Sequence, residues 1–115
     1  MHLTATSHPG ATVLAANGRI DQASADAFLE ALQPHLAACH AGSPPLLLDF
    51  SGVDYISSIG LRALMIAARQ ARASHGRLAI AHLQALVQEV FEIARFDLVI
   101  PCFADIESAL KGVSA

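Results

Sequence analysis

Aromatic and charged side chains are both scarce in this sequence. It has no Trp, one Tyr and five Phe among 115 residues, so a nucleic acid would find few side chains on which its bases could stack. Only 15% of the residues are charged, and seven Lys and Arg leave a formal net charge of −3. Because phosphate neutralisation supplies most of the affinity for nucleic acids, this composition argues against a nucleic-acid partner.

Cysteine is also rare, and the histidines lack the spacing of metal ligands. Cys39 and Cys102 lie far apart and form no CxxC motif, which predicts two reduced core residues. The six histidines form no HxxxH or HExxH pair. The sequence therefore predicts neither a metal site nor a cofactor.

Targeting and membrane-spanning segments are absent from the pattern as well. The first ten residues, MHLTATSHPG, have no basic region followed by an apolar one, as a signal peptide would. No apolar run approaches the roughly 20 residues that span a bilayer. We therefore expect a cytoplasmic protein without membrane insertion. The length is typical of one domain, and we predict a monomer with a single domain over residues 1–115.

Apolar residues make up 54% of the chain, and their pattern predicts alternating strands and helices. Asn17-Gly18 is expected to form a turn, residues 51–56 a corner, and Pro34 a kink or break in the first helix. The resulting order, ββαβαβαβα, predicts an α/β fold with a mixed, mostly parallel sheet covered by helices and an antiparallel N-terminal edge. The predicted strands are 2–7, 11–16, 46–50, 77–83 and 98–100. Of the predicted helices, the first starts near 21–24 and the second runs from 57 or 58 to about 74. The third carries an apolar stripe over 86–94, and the last covers 105–112.

The motifs of common enzyme classes are missing. The chain has no GxxxxGKS or GxGxxG phosphate loop, and its acidic residues lie at turns and strand ends rather than in catalytic pairs. The segment Ile56-Ser57-Ser58-Ile59-Gly60 has only one of the two glycines of a GxSxG nucleophile elbow. A small hydrolase that uses Ser58 with His82 is the enzymatic alternative, but we predict that the protein is not an enzyme.

The helix that starts at the two serines has one apolar face and one mixed face. At about 100° per residue, Leu61, Leu64, Ala68 and Ala71 share the face expected to be buried. Arg62 and Arg69 fall on the same side as Ser58, and Ile59 and Ile66 flank them. Apolar residues rimmed by charge are typical of a protein-binding surface. The alternative is that Ile59 packs under a neighbouring loop and the arginines are simply solvated.

The two serines cannot both cap this helix. If Ser57 is the N-cap, the hydroxyl of Ser58 is left free in the first turn. A phosphate on Ser58 would meet unpaired N–H groups and the positive end of the helix dipole, so the fold would tolerate it. Its charge of about −1.5 to −2 would also lie at the edge of the mixed face and could prevent docking to an acidic or apolar partner. The chemistry at this corner suits a phosphorylation switch.

Three segments in order resemble the STAS domain family, in particular its stand-alone bacterial anti-sigma factor antagonists. They cover almost the whole chain and resemble a G-x-[IL]-D turn, a strand followed by a D-S/T-S-x-G-L corner, and a late V-x-x-x-[FL]-x-x-[ASG]-x-[FL] helix. The segments are NGRIDQASADAFLEAL, LLLDFSGVDYISSIGLRALMIAARQA and HLQALVQEVFEIARFDLVIPCFADIESAL.

The resemblance implies a partner switch. In this family, an unphosphorylated antagonist binds an anti-sigma factor that is also a serine kinase, which frees a sigma factor. The kinase then phosphorylates one serine with ATP, and a serine phosphatase resets the antagonist. Alignment on Gly60 and Leu61 places that serine at Ser58, and the acidic residue of the turn falls on Asp21. Many members have Asp where this chain has Ser57, which makes Ser57 a second candidate acceptor.

STAS-like domains also serve, without phosphorylation, as small subunits of membrane transport assemblies that include lipid-trafficking ABC systems, and this role is the alternative.

The choice of candidate partner-binding residues combines the family resemblance with the helical spacing. The partner-binding candidates are Asp21, Ser57, Ser58, Ile59, Arg62, Ile66 and Arg69.

Overall fold

A computed structural model describes residues 3–114, which form one five-stranded sheet in the order β1-β2-β3-β4-β5 with four α-helices. β1 is antiparallel to β2, and the other neighbouring strands are parallel. The predicted mixed, mostly parallel α/β fold is confirmed; residues 1, 2 and 115 of the predicted domain lie outside the described residues. The elements are β1 (Leu3–His8), β2 (Ala11–Ile20), α1 (Ala25–Ala37), β3 (Leu46–Ile56), α2 (Ser58–Ala73), β4 (Leu78–Ala81), α3 (Ala85–Ile93), a 3-10 turn (Phe96–Leu98), β5 (Cys102–Phe103) and α4 (Ile106–Ser114).

The strands β2 and β3 are longer than their sequences predict. The expected turn at Asn17-Gly18 and the expected corner at 51–56 are both extended, and they pair from Asn17 with Gly52 to Ile20 with Ile56. One register shift precedes this pairing, between Ala15 and Asn17, and a second interrupts it between Gly18 and Arg19; Gly18 has a φ of 97°. A glycine with positive φ is typical of a β-bulge, so Asn17-Gly18 forms a bulge inside β2 instead of the expected turn. We call residues 17–20 with 52–56 the ribbon.

The end of the sheet near β5 also differs from the prediction. Residues 98–100 do not form a strand, because Arg95 adopts a left-handed φ of 57° and turns the chain into the 3-10 segment. Phe96 is then buried against Phe91, with ring centroids 5.2 Å apart. β4 is shorter than the predicted 77–83 because His82, with a φ of 62°, ends the extended conformation.

Pro34 does not break α1, which continues from Ala25 to Ala37. The proline ring lies on the exposed side of the helix. Because proline has no N–H, one helix carbonyl loses its hydrogen bond, but water can reach that carbonyl on this side. Leu32 and Leu36 on either side of it are fully buried. Packing of the apolar face therefore keeps the helix continuous.

Both faces of the sheet are covered. Neighbouring residues of each central strand point to opposite faces, as Leu47 and Leu48 show. Leu48 packs in the larger core with α1, α2 and α3, whereas Leu47 packs in the smaller core with Ala109 and Val113 of α4. Burial on two sides explains why the strand sequence LLLDF is apolar without alternation.

The ribbon projects beyond the rest of the sheet. The last pair of β3 with β4 joins Asp49 to Ala81, and β3 continues from there to Ile56. Those further residues extend the strand by roughly 20 Å at about 3.3 Å each. The start of α2 is therefore carried to the tip of the ribbon, away from β4 and β5.

Candidate functional site

Ser57 connects the ribbon to α2 through three hydrogen bonds. Its N–H donates to the carbonyl of Ile20 at 2.9 Å, and its own carbonyl accepts the N–H of Leu61 at 2.9 Å. Its side-chain Oγ accepts the N–H of Gly60 at 3.2 Å. Ser57 is half-buried and has an extended backbone, so it is the N-cap of α2.

Because Gly60 has no side chain, the first turn of α2 can pack directly against the ends of the two ribbon strands. A Cβ at this position would lie 2.5 Å from the carbonyl oxygen of Ile20 and 2.7 Å from Cγ1 of Ile56. Neither neighbour can give way easily, since one is backbone and the other is fully buried. The glycine therefore fixes the height of the helix start above the two strand ends.

Ser58 is the first residue of α2, and its environment differs from that of Ser57. It is exposed, and its hydroxyl forms no hydrogen bond with any of residues 3–114. The first turn of α2 holds no acidic residue, and its leading N–H groups precede the first intrahelical hydrogen bonds. Ser58 thus presents a free hydroxyl at the positive end of the helix dipole.

The exposed side of α2 has the composition that the helical spacing predicts. Ile59 and Ile66 are 43% and 42% exposed, so Ile59 is not covered by a neighbouring loop. Arg62 and Arg69 are exposed and form no ion pair within the described part of the chain. We call these four residues with Ser58 the α2 face. The buried side of α2 differs slightly from the prediction, because Leu61 is only half-buried. The buried residues of α2 are Gly60, Ala63, Leu64, Ala67, Ala68 and Ala71.

Asp21 lies at the same tip of the molecule, directly after Ile20. Its carboxylate accepts hydrogen bonds from the N–H of Ala23 at 3.0 Å, the hydroxyl of Ser24 at 3.3 Å and Nε of Arg19 at 3.4 Å. Desolvation alone would raise the pKa of Asp21, but these hydrogen bonds, with the charge of Arg19, lower it below its usual value. Asp21 is therefore a fixed negative charge beside the Ser57 corner.

Two further residues at this tip were missed by the sequence reasoning. Arg19 and Tyr55 are cross-strand partners on the ribbon, and Cζ of Arg19 lies 4.2 Å from the centroid of the Tyr55 ring. This is a cation–π contact that also holds Arg19 beside Asp21. The β-branched and aromatic residues in Val53-Asp54-Tyr55-Ile56 are the signal that could have indicated a longer strand here.

The other chemistry considered from the sequence is not assembled in this structure. His82 ends β4 and has no hydrogen bond to Ser58, which lies beyond the far end of the ribbon. The Ser58–His82 pair that a hydrolase would need is therefore not formed. Within residues 3–114, no three His, Cys, Asp or Glu side chains come together as a metal site would require, and no helix is long and apolar enough to cross a membrane.

The chain belongs to the STAS domain family. The family model described as "Mlab, STAS domain" matches residues 3–101. Among curated proteins, the chain is 36% identical over 110 residues to BtrV of Bordetella bronchiseptica, which is named as an anti-sigma factor antagonist; the match covers 95% of this chain and 91% of BtrV. These matches confirm the family resemblance of the three segments.

Solved structures show the same fold. An anti-sigma factor antagonist from Mycobacterium paratuberculosis superposes with a TM-score of 0.84 at 22% identity, covering 99% of this chain and 94% of the other. The Bacillus antagonist SpoIIAA has been solved in an unphosphorylated form, with a TM-score of 0.66 at 14% identity and 99% coverage of both chains. Its phosphorylated form gives 0.67 at 14% identity, covering 97% of this chain and 99% of SpoIIAA.

Proposed function

We propose that this protein is an anti-sigma factor antagonist that is switched by phosphorylation of Ser58. In this proposal, the unphosphorylated form binds an anti-sigma factor with serine kinase activity and thereby frees its sigma factor, and phosphorylation reverses the binding. The identity with BtrV supports the antagonist role, and the two forms of SpoIIAA show that an antagonist with this fold can carry phosphate. The observation that carries the proposal is the exposed hydroxyl of Ser58, which the fold does not use. This role requires a cytoplasmic protein, as the sequence predicts.

The environments of the two serines favour Ser58 over Ser57 as the acceptor. The Oγ of Ser57 already accepts the N–H of Gly60, and its backbone is held by Ile20 and Leu61. A kinase would have to pull this half-buried cap out of the corner to reach it. The hydroxyl of Ser58 can be reached without any change in the packing.

The transfer itself needs no group from this chain except the hydroxyl. Oγ of Ser58 attacks the γ-phosphorus of ATP, the bond to the bridging oxygen breaks, and ADP leaves. The hydroxyl proton passes to a base of the kinase. The product phosphate carries a charge of about −1.5 to −2 and lies at the N-terminus of α2, where helix N–H groups and the dipole favour an anion.

The phosphate would change the charge of the α2 face. Arg62 lies one turn after Ser58, and α2 contains no Asp or Glu, so the unmodified face is apolar and basic. Such a face fits a partner surface that is apolar with acidic groups around it. A phosphate at Ser58 would pair with Arg62 and repel those acidic groups. Phosphorylation would therefore release the partner without unfolding the antagonist.

Partner capture followed by phosphate mapping tests this function. The protein would be immobilised, its partner identified by mass spectrometry, and the purified partner incubated with the protein and ATP. We expect a serine kinase that modifies the wild type and Ser57→Ala at Ser58, and that binds but does not phosphorylate Ser58→Ala. Ser58→Asp should bind more weakly, and a serine phosphatase should restore binding to the phosphorylated wild type.

A matched control comes from the other end of the same helix. Ser74 is also exposed but follows the last residue of α2, so Ser74→Ala and Ser74→Asp should leave kinase binding and phosphorylation unchanged. Phosphate found at Ser57, or full phosphorylation of Ser58→Ala, would contradict the assignment of Ser58.

A role in a membrane transport assembly is the alternative, since an exposed apolar and basic α2 face could equally bind another kind of subunit. This role needs no phosphate on Ser58. Recovery of an ATPase subunit in the capture experiment, with binding that Ser58→Asp does not change, would favour it over the partner switch.

A further inference from the structure

A cavity of about 440 Å³ lies at the opposite end of α2 from Ser58. This open cavity is lined by the last turns of α2, the start of β4, residues 99–101 and the end of α4. The 16 residues of α2 separate it from Ser58 by roughly 20 Å at about 1.5 Å per residue. Its volume falls within the range of about 300 to 1,000 Å³ that is usual for small-molecule pockets.

The cavity exists because β5 is too short to cover the edge of β4. β5 pairs only with Ile80 and Ala81, so Leu78 and Ala79 have no β5 residue opposite them. The chain before β5 forms the 3-10 turn instead of a strand, and Pro101 has no N–H to extend the ladder. Space for a ligand is left where further residues of an edge strand would otherwise lie.

The walls of this cavity are apolar, and the charged groups around it are basic. Ala71, Leu78 and Ile100 contribute hydrocarbon surface. The charged side chains that line it are Arg72 and Arg77, together with the imidazole of His75, and no Asp or Glu among the described residues lines it. A ligand that fits this composition has an apolar body and a negative group.

The two arginines have different local roles. The guanidinium of Arg77 donates a hydrogen bond to the backbone carbonyl of Val113, which holds the end of α4 in place as one wall. Arg72 is exposed and forms neither an ion pair nor a side-chain hydrogen bond with the side chains and backbone of residues 3–113. Arg72 is therefore the cation that is available to a ligand.

The C-terminus of α2 would normally disfavour an anion, because its free carbonyls form the negative end of the dipole. Here those carbonyls already accept hydrogen bonds from the residues that follow. The N–H of His75 donates to the backbone carbonyl of Arg72 at 3.0 Å, and the N–H of Gly76 donates to the backbone carbonyl of Ala71 at 2.8 Å. This closed cap reduces the repulsion that an anion beside Arg72 would otherwise meet.

We propose that this cavity binds an amphipathic carboxylate, with the carboxylate on the guanidinium of Arg72 and the hydrocarbon body against Ala71, Leu78 and Ile100. The planar guanidinium can hold both carboxylate oxygens through parallel N–H donors. The apolar walls gain from burial of the hydrocarbon. This site is separate from the α2 face, and its occupation does not depend on the proposed phosphorylation switch.

Titration of the isotopically labelled protein with decanoate, followed by NMR, tests the site. We expect saturable shifts at the amides of Ala68, Ala71 and Val99, and unchanged signals on the ribbon. Decanol, which has the same chain without the charge, should bind at least about tenfold more weakly. Arg72→Gln should weaken decanoate binding by at least about tenfold, because a neutral amide replaces the two charge-assisted N–H donors of the guanidinium.

Arg69→Gln is the matched control, because it makes the same substitution on the same helix outside the cavity lining. It should leave decanoate affinity unchanged. Both arginines are exposed, so both variants should keep the fold, which the ribbon signals would verify. The proposal is overturned if decanoate gives no saturable shifts, if decanol binds as tightly, or if Arg69→Gln weakens binding as much as Arg72→Gln.

Discussion

Both ends of α2 lie against a close backbone neighbour, Ile20 of β2 at the start and Cys39 of the loop after α1 at the end, but they leave different groups free. At the start, Gly60 approaches the carbonyl of Ile20, and at the end, Gly76 approaches the backbone of Cys39. Both glycines occupy positions where a Cβ would come within 3 Å of main-chain atoms. Each end of the helix is therefore positioned by a close approach of backbone to backbone.

The difference lies in the caps. At the end of α2, the backbone N–H groups of Ser74, His75 and Gly76 satisfy the last carbonyls without a side chain. At the start, the side chain of Ser57 makes the cap, and a second hydroxyl follows it that makes no bond within the described residues. Ser58 therefore stands out as a functional candidate, because packing and capping leave its hydroxyl unused.

The largest expected effect concerns the two glycines. Gly60→Ala and Gly76→Ala should each lower the free energy of unfolding by about 3 kcal/mol, because the added methyl group must displace backbone or buried atoms. Urea denaturation followed by circular dichroism measures this. A nearly neutral Gly60→Ala beside a costly Gly76→Ala would show that only the end of α2 is held by close approach.

A smaller effect should separate the two serines. Ser57→Ala should cost about 1 kcal/mol of unfolding free energy, because the Gly60 N–H loses its acceptor. Ser58→Ala should stay within about 0.5 kcal/mol of the wild type, as surface substitutions usually do. Equal losses in the two variants, measured under the same denaturant conditions, would mean that both hydroxyls support the helix start.

The stability of the fold should also respond to pH through Asp21, in the connection between β2 and α1. The pKa of Asp21 is lowered in the folded protein, so its ionised form stabilises the fold above the unfolded pKa of about 3.9, and this contribution is lost as pH falls through the folded pKa. Asp21→Asn should therefore be less stable than the wild type at pH 7, with the difference shrinking below about pH 4. Denaturation curves at both pH values measure it; a difference that persists at low pH would instead reflect the lost hydrogen-bond geometry.

The smallest effect should distinguish the arginines near the two ends. Arg72 lies in the last turn of α2, where a cation interacts favourably with the dipole, so Arg72→Gln should cost about 0.3 kcal/mol at low salt. Arg62 lies beyond the first turn, and Arg62→Gln should leave stability almost unchanged. Thermal unfolding at low and high ionic strength tests this, and the Arg72 effect should disappear at high salt.

The parts of the fold that the sequence predicted correctly are those with long apolar or helical patterns. The run LLLDF indicated the buried centre of β3, and the spacing of Leu64, Ala68 and Ala71 identified the buried side of α2. The errors lie where a local signal has two uses. Asn17-Gly18 forms a bulge rather than a turn, and Pro34 is tolerated because Leu32 and Leu36 are packed.

The candidate site shows the same division. The corner motif indicated Ser57 and Ser58, the G-x-[IL]-D turn indicated Asp21, and the helical period added Ile59, Ile66 and the two arginines. Arg19 and Tyr55 were not found, because their contact depends on the register of two strands that local patterns ended too early. The cavity beside Arg72 was not predictable either, since it arises where β5 fails to cover β4.

The sequence by itself determined the order of the elements, the buried side of α2 and the pair of serines at its start, because these follow from periods of two and 3.6 residues and from local capping chemistry. The helical winding already favoured Ser57 as the cap, and only the tertiary structure decided how that cap is held to the sheet. The N–H of Ser57 donates to the carbonyl of Ile20, which belongs to another strand and reaches Ser57 through the ribbon pairing. Long-range hydrogen bonds of this kind leave no local pattern in the chain.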